Sequence, residues 1–489
     1  MLHIVRQHHD CEPGRGPTLT SMTLVILVVI LYGALNSRGY GRALALGGAT
    51  AAGAAVVIGK TALPTFYAVS IGVVVILMHR LIKRWRADDD IPAHEPAPGT
   101  LPLILLAVWA TLVTIAAPAL FHGLEVLAPD GDRSTLSTGE LTTSNIAQIF
   151  YLFLGVCVVL FLARFEHAGP ELIGLAAGLS TLLSFWRYLS VTFGLPFPEG
   201  VFDNSPSFAF IETSAGGGER FRGILSEPSG LAISSLVTIA YMLSRWGQLR
   251  GWRRWAALMV AIIATYLASI STSGTFVVAG VVLSVIAALA FLSRIVLLRG
   301  ALKPAFVLAG CVGVIVSLYV LPLVAVFVEK TVDDKVSSSS FSERSGADSL
   351  SYNLFFDTFG LGVGLGSNRP SSFLAAMLST VGLVGTALFV LAVVIIVWRS
   401  SSLPEYRPVI WALIALLITK VVAGPDLSDS SGILWISLGV LARGALISAR
   451  LQRAHDDAGP AFSRPRASPL RRNGDVFTQP RRRWDEKKP

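Results

Sequence analysis

Charge is what this sequence lacks: Asp, Glu, Lys and Arg make up 15% of its 489 residues, against about 25% in a soluble globular chain. The shortfall excludes a water-soluble protein of ordinary surface. Cysteine is nearly absent as well. Of the three, Cys157 and Cys311 fall inside apolar runs and Cys11 in a polar leader, so no extracytoplasmic disulfide framework is available. No nucleotide-binding motif occurs, and the polar stretches contain no Asp/His constellation for a metal, so neither a metal nor a cofactor is expected. The alternation of apolar and polar residues that a β-barrel requires is missing too. Residues 1–21 lack an apolar stretch followed by a small-residue cleavage site; they read as a polar leader or a start-site artefact rather than a signal peptide.

Apolar residues are abundant, at 53% of the chain, with a mean hydropathy of +0.64. They come in runs of roughly 16 to 25, long enough to cross a hydrocarbon layer about 30 Å thick as helices. Helices are required because lipid offers the backbone no hydrogen-bond partners. The pattern predicts an all-α, polytopic transmembrane helical bundle with about 12–13 spans. They lie near 22–36, 43–59, 62–79, 100–119, 146–163, 171–190, 229–244, 255–270, 274–293, 304–328, 372–398, 409–423 and 431–448. Residues 22–448 form the membrane domain. Residues 449–489 form a basic, Pro-rich tail expected to be disordered.

The distribution of Lys and Arg predicts the orientation. The connection after the third run carries Arg80, Lys83, Arg84 and Arg86; that after the seventh carries Arg245, Arg250, Arg253 and Arg254; that after the ninth carries Arg294, Arg299 and Lys303. Strict alternation puts all three on one side, hence the cytoplasmic one. The opposite connection, 119–145, holds Glu125, Asp130, Asp132 and Glu140 against Arg133. The tail falls on the basic side, with eleven Lys/Arg against five Asp/Glu. Topology and anionic lipid headgroups account for the net charge of +9 without any nucleic-acid partner.

Two long connections on the acidic side, 194–228 and 329–371, are where chemistry is expected, since short loops suffice to join helices. Each carries arginines against the topological bias: Arg220 and Arg222 in the first, Arg344 and Arg369 in the second. A guanidinium is a planar fork of donors suited to phosphate and charged at any working pH. The same arginines could instead pair with Glu219, Glu227, Glu343 or Asp348 as loop salt bridges, and composition leaves both readings open.

The segment Arg220-Phe-Arg-Gly-Ile-Leu-Ser-Glu-Pro-Ser-Gly-Leu-Ala resembles the R-x-x-G…P-x-x-x-A stretch of the O-antigen ligase/polymerase superfamily, which likewise leads from an outer loop into a span. Farther on, Arg344 precedes Gly360-Leu-Gly-Val-Gly-Leu-Gly366 and then Ser371 to Gly385. This order is similar to the family's second arginine, its G-x-G turn and a helix start ending in G-x-x-G, here Gly382 and Gly385. The likeness covers about 205–390. Where the family's ligases usually carry a histidine, this sequence has Ser371 followed by Ser372, and no histidine lies in 329–371. A serine cannot handle a proton near neutral pH without a separate base. The departure favours a polymerase of the Wzy type over a ligase, as does Gly366-Ser-Asn-Arg-Pro-Ser-Ser-Phe.

The resemblance implies a donor oligosaccharide on a polyprenyl diphosphate, presented at the outer face of a bacterial inner membrane, and an acceptor hydroxyl that displaces the lipid diphosphate. Arg220 and Arg344 are then the groups expected to stabilise the leaving diphosphate, and Glu227 the candidate base. Arg222, Arg369, Ser371 and Asp357 are the expected contacts to phosphate or sugar, with Asp357 the second candidate base. A flippase and a chain-length regulator are the protein partners such a polymerase implies. A ligase acting on lipid A core remains the nearest alternative. A transporter without chemistry is the alternative of another class, although the chain lacks the paired repeats of transporters. Lys420 and Arg443, in or near the last spans, are either snorkelling or functional. Asp426 and Asp429 either line the same cavity or are solvated. Trp186 and Tyr188 read as interface anchors, and Ser337–Ser340 as flexible loop.

Overall fold

The computed structural model describes residues 20–36, 39–50, 53–58, 61–86, 95–128, 132–205, 210, 212, 220–298 and 339–457. Residues 1–19 of the expected leader, the expected span 304–328, Ser337 and Ser338 of the expected flexible run and the tail beyond 457 lie outside them; Ser339 and Ser340 of that run are helical rather than loop. The described residues up to Ser448 form one unit; those beyond it are the end of the last helix.

The chain is an all-α polytopic bundle. Its elements are α1 (Ser21–Leu35), α2 (Tyr40–Thr50), β1 (Ala55–Ile58), β2 (Thr61–Pro64), α3 (Thr65–Arg86), α4 (Thr100–Leu120), β3 (Glu125–Leu127), β4 (Arg133–Thr135), α5 (Thr143–Arg164), α6 (Glu171–Phe193) and α7 (Glu199–Phe202). These are followed by α8 (Pro228–Trp246), α9 (Trp252–Ile270), α10 (Gly274–Leu298), α11 (Ser339–Asp357), α12 (Phe373–Thr380), α13 (Gly382–Ser400), α14 (Arg407–Val422) and α15 (Ile433–Asp457). Among the described residues, eight helices are long and apolar enough to cross a membrane, within α3, α4, α5, α6, α9, α10, α13 and α15. The last of these forms the core: Trp435, Leu438 and Leu441 of α15 are fully buried, whereas α10 turns Val281, Val285, Leu289 and Leu292 outward. Inside the bundle α8 is less apolar because it packs through hydroxyls. Thr238 meets Thr181 of α6 at 3.0 Å and Ser234 donates to Ser180 at 3.3 Å, the close polar packing that small residues permit between membrane helices.

Three expected elements take another form. The run at 43–59 is not one helix: α2 stops at Thr50, and the β-branched Val56-Val57-Ile58 forms a hairpin with β2, Ala55 opposite Pro64. Such residues lose side-chain freedom in a helix and fit a strand. The run at 372–398 is broken into α12 and α13 at Gly382, whose φ is +68°. A side chain there would collide with the carbonyl oxygens of Gly360 and Leu361. The connection 329–371 contains the helix α11, whose Leu354, with Leu350, packs into a small cluster with Val126, Leu136 and Val363.

Lateral hydrogen bonds sort the connections into two ends. At one, Tyr241 donates to the Pro170 carbonyl, Gln248 to the Pro404 carbonyl, and Ser402 meets Ser448, each at 2.8 Å. This end carries Arg80, Lys83, Arg86, Arg245, Arg250, Arg253 and Arg254. At the other, Asn204 bridges Ala55 of the hairpin to Thr20, Leu127 donates to Asn368, and Gly424 donates to the Ser371 carbonyl. Here lie Glu125, Asp203, Glu212, Glu227, Asp348, Asp426 and Asp429 together with the four loop arginines.

Candidate functional site

Arg220 and Arg222 stand two residues apart at this acidic end and meet opposite surroundings. Arg222 is buried, its side chain 4% exposed. Its Nε donates to Glu212 Oε1 at 2.8 Å, its Nη1 to Asp203 Oδ1 at 3.0 Å and to the Leu225 carbonyl at 2.8 Å, and its Nη2 to Asp203 Oδ2. The guanidinium also lies over the Phe210 ring, 4.6 Å from the centroid. Arg187, on α6, completes the cluster by gripping both Asp203 oxygens at 2.8 and 3.0 Å and Glu212 at 3.2 Å. Two cations and two carboxylates thus form a neutral clasp. Burial alone would lower the Arg222 pKa, but the hydrogen bonds and charges of Asp203 and Glu212 outweigh it and raise it. Four of its five N–H donors are turned to Asp203, Glu212 and the Leu225 carbonyl, which leaves one for the expected sugar or phosphate contact.

Arg220 is half-buried, and its Nε has no hydrogen-bond partner among the described residues. Its backbone N–H donates to the Glu212 carbonyl at 2.6 Å, so the clasp holds the main chain beneath it. The side chain feels a different charge. Burial first, then the positive charge of Arg344, push the Arg220 pKa below its usual value, and Glu227 pulls it back. The two arginines therefore stand within mutual repulsion although they come from different loops, with Glu227 beside them. Among the described residues no ion pair involves either one. Glu227 sits at the N-cap position of α8 without capping it; its Oε2 accepts from the Ser229 hydroxyl at 2.9 Å.

Arg344 is exposed on the first turns of α11. One turn on, Asp348 does not pair with it: its Oδ1 accepts the backbone N–H of Ser371 at 2.7 Å and of Ser372 at 3.1 Å, at the start of α12. Ser371 thus binds protein on both sides, through its N–H to Asp348 and its hydroxyl to the Arg344 carbonyl at 3.4 Å. Asp357 ends the same helix, about 20 Å along the axis from Arg344 at 1.5 Å per residue, and is solvent-exposed. It does not join the arginine pair. Arg369 is exposed, and its N–H donates to the Leu127 carbonyl at 3.0 Å. Glu219 and the side chain of Glu343 lie outside what is described.

The glycine-rich segment is structural. Gly360, Gly362, Gly364 and Gly366 all have φ between +77° and +90°, which only glycine adopts without strain. A Cβ on Gly364 would fall 2.6 Å from the Thr114 backbone, and one on Gly366 2.6 Å from that of Ser144. The amides face protein acceptors: Gly362 the Thr358 hydroxyl, Val363 the Ser379 carbonyl, Gly364 the Thr380 carbonyl, Leu365 the Thr114 hydroxyl. Such a segment wedges α11 and α12 against α4 and α5; it is not a phosphate cradle. Asn145 and Asn368 secure it from below.

Lys420 is a buried member of an internal pair. Its Nζ donates to the Asp426 carbonyl at 2.8 Å and lies 3.5 Å from Asp429 Oδ1. Asp429 in turn accepts from the N–H of Leu434, in the first turn of α15, at 2.8 Å. Arg443 hydrogen-bonds Tyr406 at the opposite end. Trp186 donates to the Pro196 carbonyl, and the Tyr188 hydroxyl accepts from Tyr266. Arg187, lying between those two aromatics, is the residue that a reading by hydropathy passes over. An arginine inside an apolar run is the signal that would have found it.

The fold and this end of it define a multi-pass membrane protein with a polar end that holds two arginines without an ion pair among the described residues. No protein-family model and no curated protein matches the chain. Among the described residues, no group of three or more His, Cys, Asp or Glu is placed to hold a metal.

Proposed function

We propose that the chain is a polysaccharide polymerase that joins oligosaccharide repeat units carried on polyprenyl diphosphate, at the extracytoplasmic face of a bacterial inner membrane. The observation that carries this reading is the convergence of Arg220 and Arg344 from separate loops, close enough to repel, with Glu227 beside them. Two facing cations cost energy in the empty protein. A ligand with two adjacent negative charges removes that cost, and a diphosphate has that spacing of charge.

The acceptor sugar hydroxyl attacks the anomeric carbon of the donor. The bond from that carbon to the diphosphate oxygen breaks, and the electron pair leaves with the lipid diphosphate. Arg220 and Arg344 meet the growing charge on that oxygen with fixed donors, worth about 3–4 kcal/mol for one well-placed group. Glu227 takes the acceptor's proton. Arg222 and Ser371 support the site through the protein rather than through the donor. The Lys/Arg content of the opposite end supports a cytoplasmic location there, which leaves the arginine pair outside.

Reconstitution with a polyprenyl-diphosphate oligosaccharide tests the reading. Wild type is expected to make a product ladder, and Arg220→Ala and Arg344→Ala to accumulate normally yet make none. Ladders of ordinary length from both variants would end the catalytic assignment of the arginine pair, and no ladder from wild type would end the polymerase reading. Thiol labelling at Ser345→Cys from outside intact cells, with Ser401→Cys protected, is the accompanying test of orientation.

A further inference from the structure

We infer that Asp348 is a positioning residue, a latch that fixes Arg344 opposite Arg220 by joining α11 to the start of α12; the inference rests on the reading of the arginine pair proposed above. Arg344 and Asp348 are four residues apart on one helix, so they share a face one turn apart. Across that face, the Asp348 carboxylate accepts two successive amides, those of Ser371 and Ser372. The Ser371 hydroxyl returns to the carbonyl of Arg344 itself. The Ser371 carbonyl accepts from Gly424, which anchors the far side of the latch to the α14–α15 connection.

The rest of α11 is held elsewhere. Leu350 and Leu354 pack against Val126, Leu136 and Val363, and Ser351 accepts from Asn368, all farther along the helix. The turn that bears Arg344 has the Asp348–Ser371–Ser372 bonds as its tie to α12. Amides at a helix start carry partial positive charge that a carboxylate satisfies well. With Oδ1 committed there, Asp348 makes no ion pair with the guanidinium one turn away among the described residues. The latch thus does two things: it sets the height of Arg344, and it turns Oδ1 of the nearest acid on the helix to backbone amides.

Geometry and charge are separable here. Asp348→Asn keeps an acceptor oxygen in place and loses the charge; Asp348→Glu keeps the charge and moves the oxygen by one methylene. A latch predicts ladder synthesis within about threefold of wild type for D348N. D348E and D348A should fall about 10- to 100-fold in turnover at unchanged KM for the donor, the scale expected when a catalytic group is misplaced by about 1 Å. The opposite ranking, D348E active and D348N dead, would show that the charge matters and overturn the latch, as would wild-type turnover in D348A.

A second readout does not depend on activity. In a background with Cys11, Cys157 and Cys311 replaced by Ala, Arg220→Cys and Arg344→Cys are bridged with a short bifunctional thiol reagent. Bridging is expected to persist with D348N and to drop at least fivefold with D348A. Bridging that is equal in the two backgrounds would overturn the inference. Bridging that follows this pattern, while wild type makes no ladder from the lipid-linked donor, would keep the latch and discard the polymerase reading.

Discussion

Replacing Arg222 by Ala should damage stability, and replacing Arg220 by Ala should not, although the two are separated by a single residue. Removing one partner from a buried ion pair costs about 3–5 kcal/mol when the other charge is left uncompensated. In this clasp the compensation is partial. Asp203, 16% exposed, keeps Arg187 at 2.8 Å, and Glu212, 57% exposed, keeps Arg187 at 3.2 Å and is otherwise solvated, at a loss of about 0–1 kcal/mol. The Leu225 carbonyl loses its donor, worth about 1 kcal/mol. Arg222→Ala is therefore expected to lose about 2–3 kcal/mol by these same terms. Arg220→Ala removes a half-buried cation whose Nε has no partner and whose neighbour repels it, so its change should stay within about 1 kcal/mol of zero. Thermal inactivation of purified protein in detergent gives the ranking, and ladder synthesis at a temperature where both variants are folded gives the activity. Arg222→Ala should melt earlier yet retain measurable synthesis; Arg220→Ala should melt like wild type and make nothing. Equal loss of stability in the two variants, or a wild-type melt with no activity for Arg222→Ala, would refute the division between a neutral clasp and an open charge.

Lys420→Met strands Asp429 in the interior and should cost about 3 kcal/mol or more in thermal stability, while Lys420→Met with Asp429→Asn should recover most of it. Gly364→Ala should reduce folded protein in the membrane sharply, by at least about 3 kcal/mol, because backbone strain adds to a clash with the Thr114 main chain; Gly123→Ala, equally left-handed but with open space around it, should cost about 1 kcal/mol. Arg220→Lys and Arg344→Lys should each restore less than a tenth of wild-type ladder synthesis, because a point charge lacks the two-pronged contact with a diphosphate.

The apolar runs made the bundle legible, because a membrane imposes length and hydrophobicity on any helix that crosses it. What they could not reveal is where a run stops being one helix. The break at Gly382 is set by the carbonyls of Gly360 and Leu361, about twenty residues earlier, and glycine is too common in membrane helices for Gly382 and Gly385 alone to announce it. Likewise the hairpin at 55–64 is held by Asn204, from a distant loop. Of the candidate site, Arg220, Arg344 and Glu227 come together, whereas Asp357 stands far along α11. Arg220 and Arg222 looked alike in sequence, both on the outer loop beside acids. Asp203 and Glu212 decide between them, and their choice depends on Arg187 arriving from a helix. The acid one turn from Arg344 looked like its partner, and backbone amides from another helix claim it first.

The contrast between the clasp and the pair also bears on why arginine suits this chemistry. In the clasp each cation meets a carboxylate of the same protein, so nothing is gained by adding an anion. In the pair, the empty protein holds a repulsion that burial strengthens. On the proposed reading, a sugar diphosphate bound there already carries two negative charges, and the departing lipid diphosphate gains a further one as the glycosidic bond breaks. Attraction to two fixed guanidinium groups therefore grows along the reaction coordinate, which is the condition for faster chemistry rather than merely tighter binding. Lysines would meet the ground-state charge almost as well. The additional charge arises on one bridging oxygen, and a planar fork held in place by its own helix or loop can follow it there.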